Sequence, residues 1–137
     1  MLTINDVPAQ CIVQASKQYY VPAPLIIAVL KTEGGHRGSA QHNSNGTVDY
    51  GPMQINSIWL KKLKNYGYTA HTLKCNPCAN VKAGTWILAR KIASDTKLWH
   101  GVGDYHSRTS KYNKRYRTKV NHYYKWIHQA LHQGPNG

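Results

Sequence analysis

The apolar stretch at residues 21–30 restricts the fold most, because two prolines open it and a glycine pair follows it. Proline is favoured in the first turn of a helix, so the segment predicts a helix that begins at residues 22–24. Its apolar side chains cover a wide face, which predicts burial in the core. Gly34 and Gly35 then supply the positive φ at which helices commonly end. Glu33, the only glutamate of the chain, therefore falls in the last turn of a mostly buried helix.

Four more segments place apolar residues three or four positions apart, the spacing of a helix that packs on one side. Residues 35–51 are instead rich in Gly, Ser, Asn and His, which predicts a loop or short β-hairpin with its turn at Asn45-Gly46. The sequence thus predicts a mainly α-helical fold with one small β region. The four helical segments cover about residues 8–21, 53–65, 79–98 and 111–131.

The length of 137 residues fits one domain, so we expect a single compact unit over residues 1–137. We place its core at about residues 8–131 and expect a frayed tail at 132–137. The longest apolar stretch is far shorter than the ~20 residues that span a bilayer, so no transmembrane helix is predicted. The amino terminus lacks the basic start and apolar core of an export signal. Localisation must therefore be inferred from function.

The chain is strongly basic, with 18 Lys and Arg against 5 Asp and Glu and a formal net charge of +13. This charge favours a polyanionic partner, such as nucleic acid, an anionic membrane surface or a cell wall. Residues 108–125 interleave cations with tyrosines, which is the best case for nucleic acid. The tyrosines recur at helical spacing, however, which favours packing inward beneath solvated cations. We therefore do not expect nucleic acid as the primary partner.

Glu33 has two features of a general acid. The negative end of the helix dipole disfavours a carboxylate at a helix C-terminus, and burial by Leu30 and its neighbours disfavours it further. Both effects favour the protonated form that a proton donor needs. The alternative is a solvated glutamate at a helix end, a common environment for this residue type.

A polar loop, NGTVDYGPMQIN at residues 45–56, follows Glu33 in the chain. Such a loop can present Asp49 and the side-chain amides of Gln54 and Asn56 to the hydroxyl and acetamido groups of a sugar. Alternatively, the loop is a capped turn in which Asp49 accepts hydrogen bonds from backbone N–H groups before Pro52.

Several short motifs in a fixed order resemble a known family. They are TEGG at 32–35, NGTVDYGPMQIN at 45–56, WL at 59–60, CANVKAG at 78–84 and WILA at 86–89. Together they resemble the soluble lytic transglycosylases associated with type IV secretion, conjugation and related export machines, which have an SLT-type domain. DYG at 49–51 and QINS at 54–57 are also similar to chicken-type lysozymes. The resemblance covers about residues 11–105 and implies an α+β lysozyme-like fold, with the β region beside an active-site cleft.

This resemblance implies that Glu33 is the catalytic acid and that peptidoglycan glycan strands are the substrate. The bond cleaved would be the β-1,4 linkage between N-acetylmuramic acid and N-acetylglucosamine. Tyr105 would take the place of the family's later tyrosine, whose motif is Tyr-Asn; here His106 replaces the asparagine. The residues that we expect to bind substrate are Tyr50, Met53, Gln54, Asn56, Asn80 and Tyr105.

The expected setting follows from the same resemblance. We expect a periplasmic, cell-envelope or secreted protein, with components of a secretion or conjugation apparatus as partners. We also expect a monomer with no cofactor and no bound metal.

Two mechanisms remain open for Glu33. In the transglycosylase family the same glutamate acts first as acid and then as base, and the C6 hydroxyl of the substrate attacks to leave a 1,6-anhydro end. Ordinary hydrolysis uses a second carboxylate, for which Asp49 is the candidate. The family's secretion-associated group can carry an aspartate at this place too, so Asp49 does not decide. The longer match favours the transglycosylase, with a hydrolytic lysozyme as the alternative and a catalytically silent glycan-binding module as a third reading.

The three cysteines, Cys11, Cys75 and Cys78, allow one disulfide with one thiol left over. The CxxC spacing at 75–78, with His71 before it, is also that of a metal knuckle, but a structural zinc site needs four ligands. The resemblance implies a pair between Cys11 and Cys78, although Cys75 could equally be the partner. A disulfide would fit an oxidising compartment.

Overall fold

Helices make up most of the chain in this computed structural model, which describes residues 2–132. Two small antiparallel sheets accompany them, one of two strands and one of three. The prediction of a mainly α-helical fold with a small β region is confirmed. The helices are α1 (Ala9–Tyr19), α2 (Ala23–Glu33), α3 (Leu60–Leu63), α4 (Ala70–Cys75), α5 (Pro77–Ala93), α6 (Leu98–His106) and α7 (Ser110–His132). The strands are β1 (Thr3–Ile4), β2 (Val7–Pro8), β3 (Ala40–His42), β4 (Val48–Tyr50) and β5 (Ile55–Asn56).

Helix α2 lies in the core and packs along α7, as its apolar sequence predicts. Ile26, Ala28, Val29 and Leu30 are completely buried, and each large aliphatic side chain buried in this way stabilises the fold by roughly 1.5–3 kcal/mol. The helix ends at Gly34, whose φ of 68° confirms the predicted glycine stop. Glu33 is thereby the last helical residue, at the edge of the core.

The predicted helix from Met53 onwards is wrong over its first half. Residues 55–56 form β5, which pairs with β4, and Ser57–Trp59 is a 3₁₀ turn, so α-helix begins only at Leu60. Gln54 has a positive φ of 52°, a backbone conformation that no α-helix accommodates. Met53, Ile55 and Leu63 of the apolar pattern are buried, whereas Ile58 is exposed.

The helix predicted at residues 79–98 is present as α5 but ends earlier than predicted. Helix α5 begins at Pro77 and ends at Ala93, because the Asp95 carboxylate accepts a hydrogen bond from the backbone N–H of Lys97 at 3.0 Å and stabilises a turn instead. Helix α6, which the sequence did not predict, starts at Leu98. Its glycines weaken the helical signal but allow close packing, since a Cβ on Gly101 would meet the backbone of Ile92 at 2.7 Å.

Helix α7 was predicted to pack through Tyr112, Tyr116, Val120, Tyr123, Ile127 and Leu131. The structure confirms this for Tyr116, Val120 and Ile127, which are buried. It is wrong for Tyr112 and Leu131, which are 47% and 62% exposed, because these residues lie towards the ends of α7. The frayed tail expected at 132–137 lies outside the described residues, apart from His132, the last residue of the helix.

Strands β1 and β2 form a hairpin before α1 that the sequence analysis did not predict. Its turn residues Asn5 and Asp6 both have positive φ, and Val7 is completely buried. The hairpin thus adds Val7 to the core just ahead of α1. The Asn5 amide donates hydrogen bonds to the carbonyls of Leu30 at 2.8 Å and Gly35 at 3.0 Å, so the hairpin caps the end of α2 that carries Glu33.

The loop between β4 and β5 is attached to the helices by the side chain of Asn80, which is completely buried in α5. The Asn80 Oδ1 accepts from the N–H of Met53 at 2.8 Å, and its Nδ2 donates to the carbonyls of Tyr50 at 2.9 Å and Leu73 at 2.8 Å. A Cβ on Gly51 would overlap both the Asn80 amide and the Leu73 carbonyl. The loop therefore approaches as closely as it does only because residue 51 is glycine.

A disulfide joins Cys11 of α1 to Cys78 of α5 with a Cα–Cα distance of 5.5 Å, and Cys75 is a free thiol. This confirms the pair that the family resemblance implied. The zinc alternative is wrong, because Cys78 is not available as a ligand. Within residues 2–132, no helix has both the length and the apolarity to cross a membrane.

The disulfide should contribute strongly to stability because it closes a loop of 67 residues. We expect Cys11→Ala to lower the free energy of unfolding by about 4 kcal/mol, measured by urea denaturation under oxidising conditions. Cys75→Ala is the matched control and should cost about 1 kcal/mol or less. Equal losses in the two variants would contradict the assigned pair.

The hydrogen bonds of the buried Asn80 amide lead to a second prediction. Asn80→Ala removes the side chain that binds three backbone groups, two of them through buried hydrogen bonds, so we expect a loss of about 3 kcal/mol in the free energy of unfolding. Asn76→Ala is the control, because Asn76 caps the exposed start of α5 and should cost only about 1 kcal/mol. The anchoring role is refuted if the two substitutions destabilise the protein equally.

Candidate active site

A polar cleft of about 480 Å³ lies between the three-stranded sheet and the helices α5 and α6. Its lining contains five of the residues predicted for the site: Glu33, Asp49, Gln54, Asn56 and Tyr105. Another cavity, of about 360 Å³, is lined mainly by apolar side chains such as Leu98 and Trp99 and contains no carboxylate. The polar cleft is therefore the candidate active site.

Glu33 lies partly buried in this cleft, at the C-terminus of α2. Burial raises its pKa from the ordinary value of 4.5 to about 7, against the opposing effect of a hydrogen bond from Tyr116. The negative charge of Asp49 raises the pKa further, whereas the ammonium group of Lys119 lowers it. Near neutral pH the carboxyl group can thus donate a proton and can also accept one.

Tyr116 of α7 is the contact of Glu33 that the sequence analysis missed. Its hydroxyl donates a hydrogen bond of 2.6 Å to Glu33 Oε2 across 83 positions of the chain. The Tyr116 ring lies parallel to His106, with centroids 4.8 Å apart, and it also stacks on Tyr105 at 6.4 Å. The only signal in the sequence was its place on the buried face of α7, since a buried tyrosine needs a partner for its hydroxyl.

Asp49, in the central strand β4, has both carboxylate oxygens bound by side-chain amides. Asn56 Nδ2 donates to Oδ1 at 2.9 Å, and Asn43 Nδ2 donates to Oδ2 at 3.2 Å. Thr47 accepts from both asparagines and extends the network. The capped-turn alternative is therefore not what the structure contains. Asn43 and Thr47 line the same cleft and were not identified from the sequence.

Gln54 and Tyr105 line the cleft beside Glu33 and are held by the loop backbone. Gln54 Nε2 donates to the carbonyl of Gly51 at 3.0 Å, and the Tyr105 hydroxyl donates to the carbonyl of Met53 at 2.8 Å. A Cβ on Gly35 would overlap the Gly51 carbonyl. The second glycine of the TEGG motif is therefore explained by the loop that packs against it.

Three residues predicted to bind substrate, Tyr50, Met53 and Asn80, do not line the cleft. Met53 and Asn80 are completely buried, and the space for the Met53 side chain exists only because residue 84 of α5 is glycine. Tyr50 is partly exposed, and its carbonyl binds Asn80. These side chains support the loop from beneath, whereas the other predicted residues lie where a ligand could touch them.

Asp95, His100 and Asp104 form the one group of metal-type ligands found within residues 2–132, with ligand atoms within 4.8 Å of one another. Hydrogen bonds account for the arrangement. His100 Nδ1 lies 2.5 Å from Asp95 Oδ2, and Asn113 Nδ2 donates to Asp104 Oδ1 at 2.9 Å. The group joins α6 to the start of α7 and so fixes the wall of the cleft that carries Tyr105 and His106.

Known proteins resemble the chain over nearly its whole length. Residues 10–127 match the family described as Transglycosylase SLT domain. The invasion protein IagB of Salmonella typhimurium is 34% identical over 125 residues, covering 88% of this chain and 78% of that protein. Protein IpgF of Shigella flexneri is 35% identical over 112 residues, covering 81% and 74% of the two chains. A peptidoglycan-binding-like protein of Escherichia coli O157:H7 is 29% identical over 115 residues, covering 78% and 69%.

The family match spans most of the chain, includes Glu33 and the loop at 45–56, and agrees with the helical fold around a polar cleft. The chain therefore belongs to the transglycosylase SLT-domain family, whose members are peptidoglycan-cleaving lytic transglycosylases.

Proposed function

We propose that Glu33 protonates the glycosidic oxygen of the β-1,4 bond between N-acetylmuramic acid and N-acetylglucosamine. The observation that carries this proposal is the position of Glu33 in the cleft with a pKa raised to about 7. A carboxylic acid that remains protonated near neutral pH can donate to a leaving oxygen, which an ordinary exposed glutamate does poorly.

The transglycosylase route needs one residue to act twice. Glu33 first transfers its proton to O4 of the departing N-acetylglucosamine as the C1–O4 bond breaks. The C6 hydroxyl of the muramic acid then attacks C1 and loses its proton to the Glu33 carboxylate. No water is consumed, and the product carries a 1,6-anhydro ring. The Tyr116 hydrogen bond supports both halves, because it stabilises the carboxylate without removing the effect of burial.

The role of Asp49 differs between this route and the alternative, a hydrolytic lysozyme that uses two carboxylates. Both Asp49 oxygens already accept hydrogen bonds from asparagine amides, which orients the carboxylate and weakens it as a nucleophile. In our proposal Asp49 stabilises positive charge that develops at C1 and helps to keep Glu33 protonated. A direct attack by Asp49 belongs to the hydrolytic alternative.

The remaining site residues are proposed to hold the glycan. Gln54, Asn56 and Tyr105 would contact the sugars in the cleft, while Tyr50, Met53 and Asn80 would keep the loop in place from beneath. We further propose that the protein acts as a monomer in the periplasm or cell envelope, where the Cys11–Cys78 disulfide would be stable. We also propose that the protein acts beside a secretion or conjugation apparatus; the relative IagB is named an invasion protein, which supports this proposal.

Mass spectrometry of fragments released from purified peptidoglycan tests the reaction. We expect ends in 1,6-anhydro-N-acetylmuramic acid, whereas reducing ends would favour the lysozyme alternative. Glu33→Gln should reduce release by roughly 100- to 10,000-fold because no acid remains. Unfolding measurements must show that the variant folds. Lysis by a folded Glu33→Gln variant at the parent rate would eliminate Glu33 as the acid.

Asp49→Asn in the same assay separates the two mechanisms. The asparagine keeps the shape of the side chain but removes its charge. A loss below about tenfold agrees with an orienting and electrostatic role, whereas a loss as large as that of Glu33→Gln would indicate a lysozyme-type pair.

The raised pKa of Glu33 also predicts two pH dependences. Because the acid must be protonated, kcat/KM should fall about tenfold per pH unit above about pH 7. Between pH 4.5 and 7 the unfolded chain ionises Glu33 while the folded protein does not, so stability should decrease over this range. Relative to Glu33→Gln, which cannot ionise, the parent should lose roughly 1–3 kcal/mol from pH 4 to pH 8 in urea titrations. A constant difference between the two proteins would contradict the raised pKa.

A further inference from the structure

A cluster of cations lies over two tryptophans, Trp59, which lines the cleft, and Trp86, which packs against it. The ammonium groups of Lys62 and Lys91 lie 5.8 and 5.5 Å from the ring centre of Trp59. The guanidinium group of Arg90 lies 4.9 Å from the ring centre of Trp86. The two indole rings pack edge to face at 6.1 Å, so the three cations share one aromatic support.

The cations of this cluster repel one another. Partial burial lowers the pKa of Lys91, and the nearby charge of Arg108 lowers it further, with smaller contributions from Arg90 and Lys62. Asp104 opposes them but does not pair with any lysine or arginine. Within residues 2–132, every ion pair involves a histidine as the cation. Gathered positive charges without a carboxylate partner favour the binding of an anion.

The cation cluster begins in the active-site cleft and extends beyond its lining, where Lys62, Arg90 and Trp86 lie. Trp59, Lys91 and Arg108 line the same cavity as Glu33 and Asp49. A ligand for the cations must therefore be compatible with a glycan that occupies the rest of the cleft. The simplest such ligand is another part of the polymer that is being cleaved.

The chemistry of peptidoglycan offers one group that fits. Its N-acetylglucosamine rings are neutral, whereas the peptide stems attached to the lactyl groups of muramic acid carry several carboxylates along a flexible chain. A single carboxylate held against the sugar ring would need one or two cations. Three cations over two indole rings, with Arg108 close to Lys91, match a stem with several negative charges.

We propose that Lys62, Arg90, Lys91 and Arg108 bind the carboxylates of a peptide stem, so that the enzyme prefers glycan strands that still carry their stems. This proposal rests on the proposed function, since it names the part of the substrate that the cleft recognises beyond the sugars. The indole rings hold Lys62, Arg90 and Lys91 in place, and the stem supplies the negative charge that the cluster lacks.

Three substrates test the proposal: strands with intact stems, strands with stems whose carboxylates have been converted to amides, and strands from which an amidase has removed the stems. We expect the parent enzyme to have at least a tenfold higher kcat/KM on intact stems than on either other substrate, mainly through a lower KM. The amidated stems separate the effect of charge from that of size.

The double variant Lys91→Gln/Arg108→Gln should reduce the preference for intact stems at least fivefold. Lys114→Gln/Arg115→Gln is the matched control, because it removes the same charge from exposed positions on α7 that do not line the cleft. The control should retain the preference of the parent. Thermal unfolding of both variants checks that they fold.

Each outcome separates the two proposals. If the parent cleaves all three substrates equally, stem recognition is wrong and the proposed function stands. Stem recognition is also wrong if the double variant and the control lose the preference to the same degree, since net charge would then explain it, or if the double variant loses activity equally on all substrates. If no substrate is cleaved, the proposed function itself fails.

Discussion

The buried amide of Asn80 is the interaction on which the arrangement of the cleft depends. It links the loop between β4 and β5 to α4 and α5, and it satisfies backbone groups that a hydrophobic residue would leave unpaired. A neutral amide can be buried in this way at small cost, because its oxygen and both of its N–H bonds find partners. Gly51 and Gly84 provide the space for the loop and for Met53. The loop thereby acquires a defined position, in which Gln54 lines the same cleft as Glu33.

Two opposing effects set the pKa of Glu33, for which we propose two roles in turn, as acid and as base. Burial at the end of α2 favours the acid, while the hydroxyl of Tyr116 favours the carboxylate, and the result is a pKa of about 7. With burial alone less of the group would be ionised near neutral pH, and with the hydrogen bond alone less of it would be protonated. A mechanism in which one residue donates and later accepts a proton needs both the protonated and the ionised form near neutral pH.

The cleft is also where the few negative charges of a basic protein are concentrated. Glu33, Asp49 and Asp104 line it, three of only five carboxylates in a chain with a net charge of +13. Lys91 and Arg108 line the same cavity beside Trp59. The cleft thus has acidic groups where we propose bond cleavage and basic groups beside them, which suits a substrate with neutral sugars and charged peptide branches.

Local signals in the sequence determined a large part of this protein. The prolines, the apolar run and the glycines fixed both ends of α2 and put Glu33 in its last turn, because these effects act within a few residues. The order of the short motifs likewise identified the family, and with it the fold and the pairing of Cys11 with Cys78. Only the tertiary structure decided the partner of Glu33 and the course of the chain after Pro52. Tyr116 reaches Glu33 from 83 residues away, and the helical spacing after Met53 is overridden by hydrogen bonds to Asn80, 27 residues on. Such contacts depend on how separate elements pack, which no local pattern records.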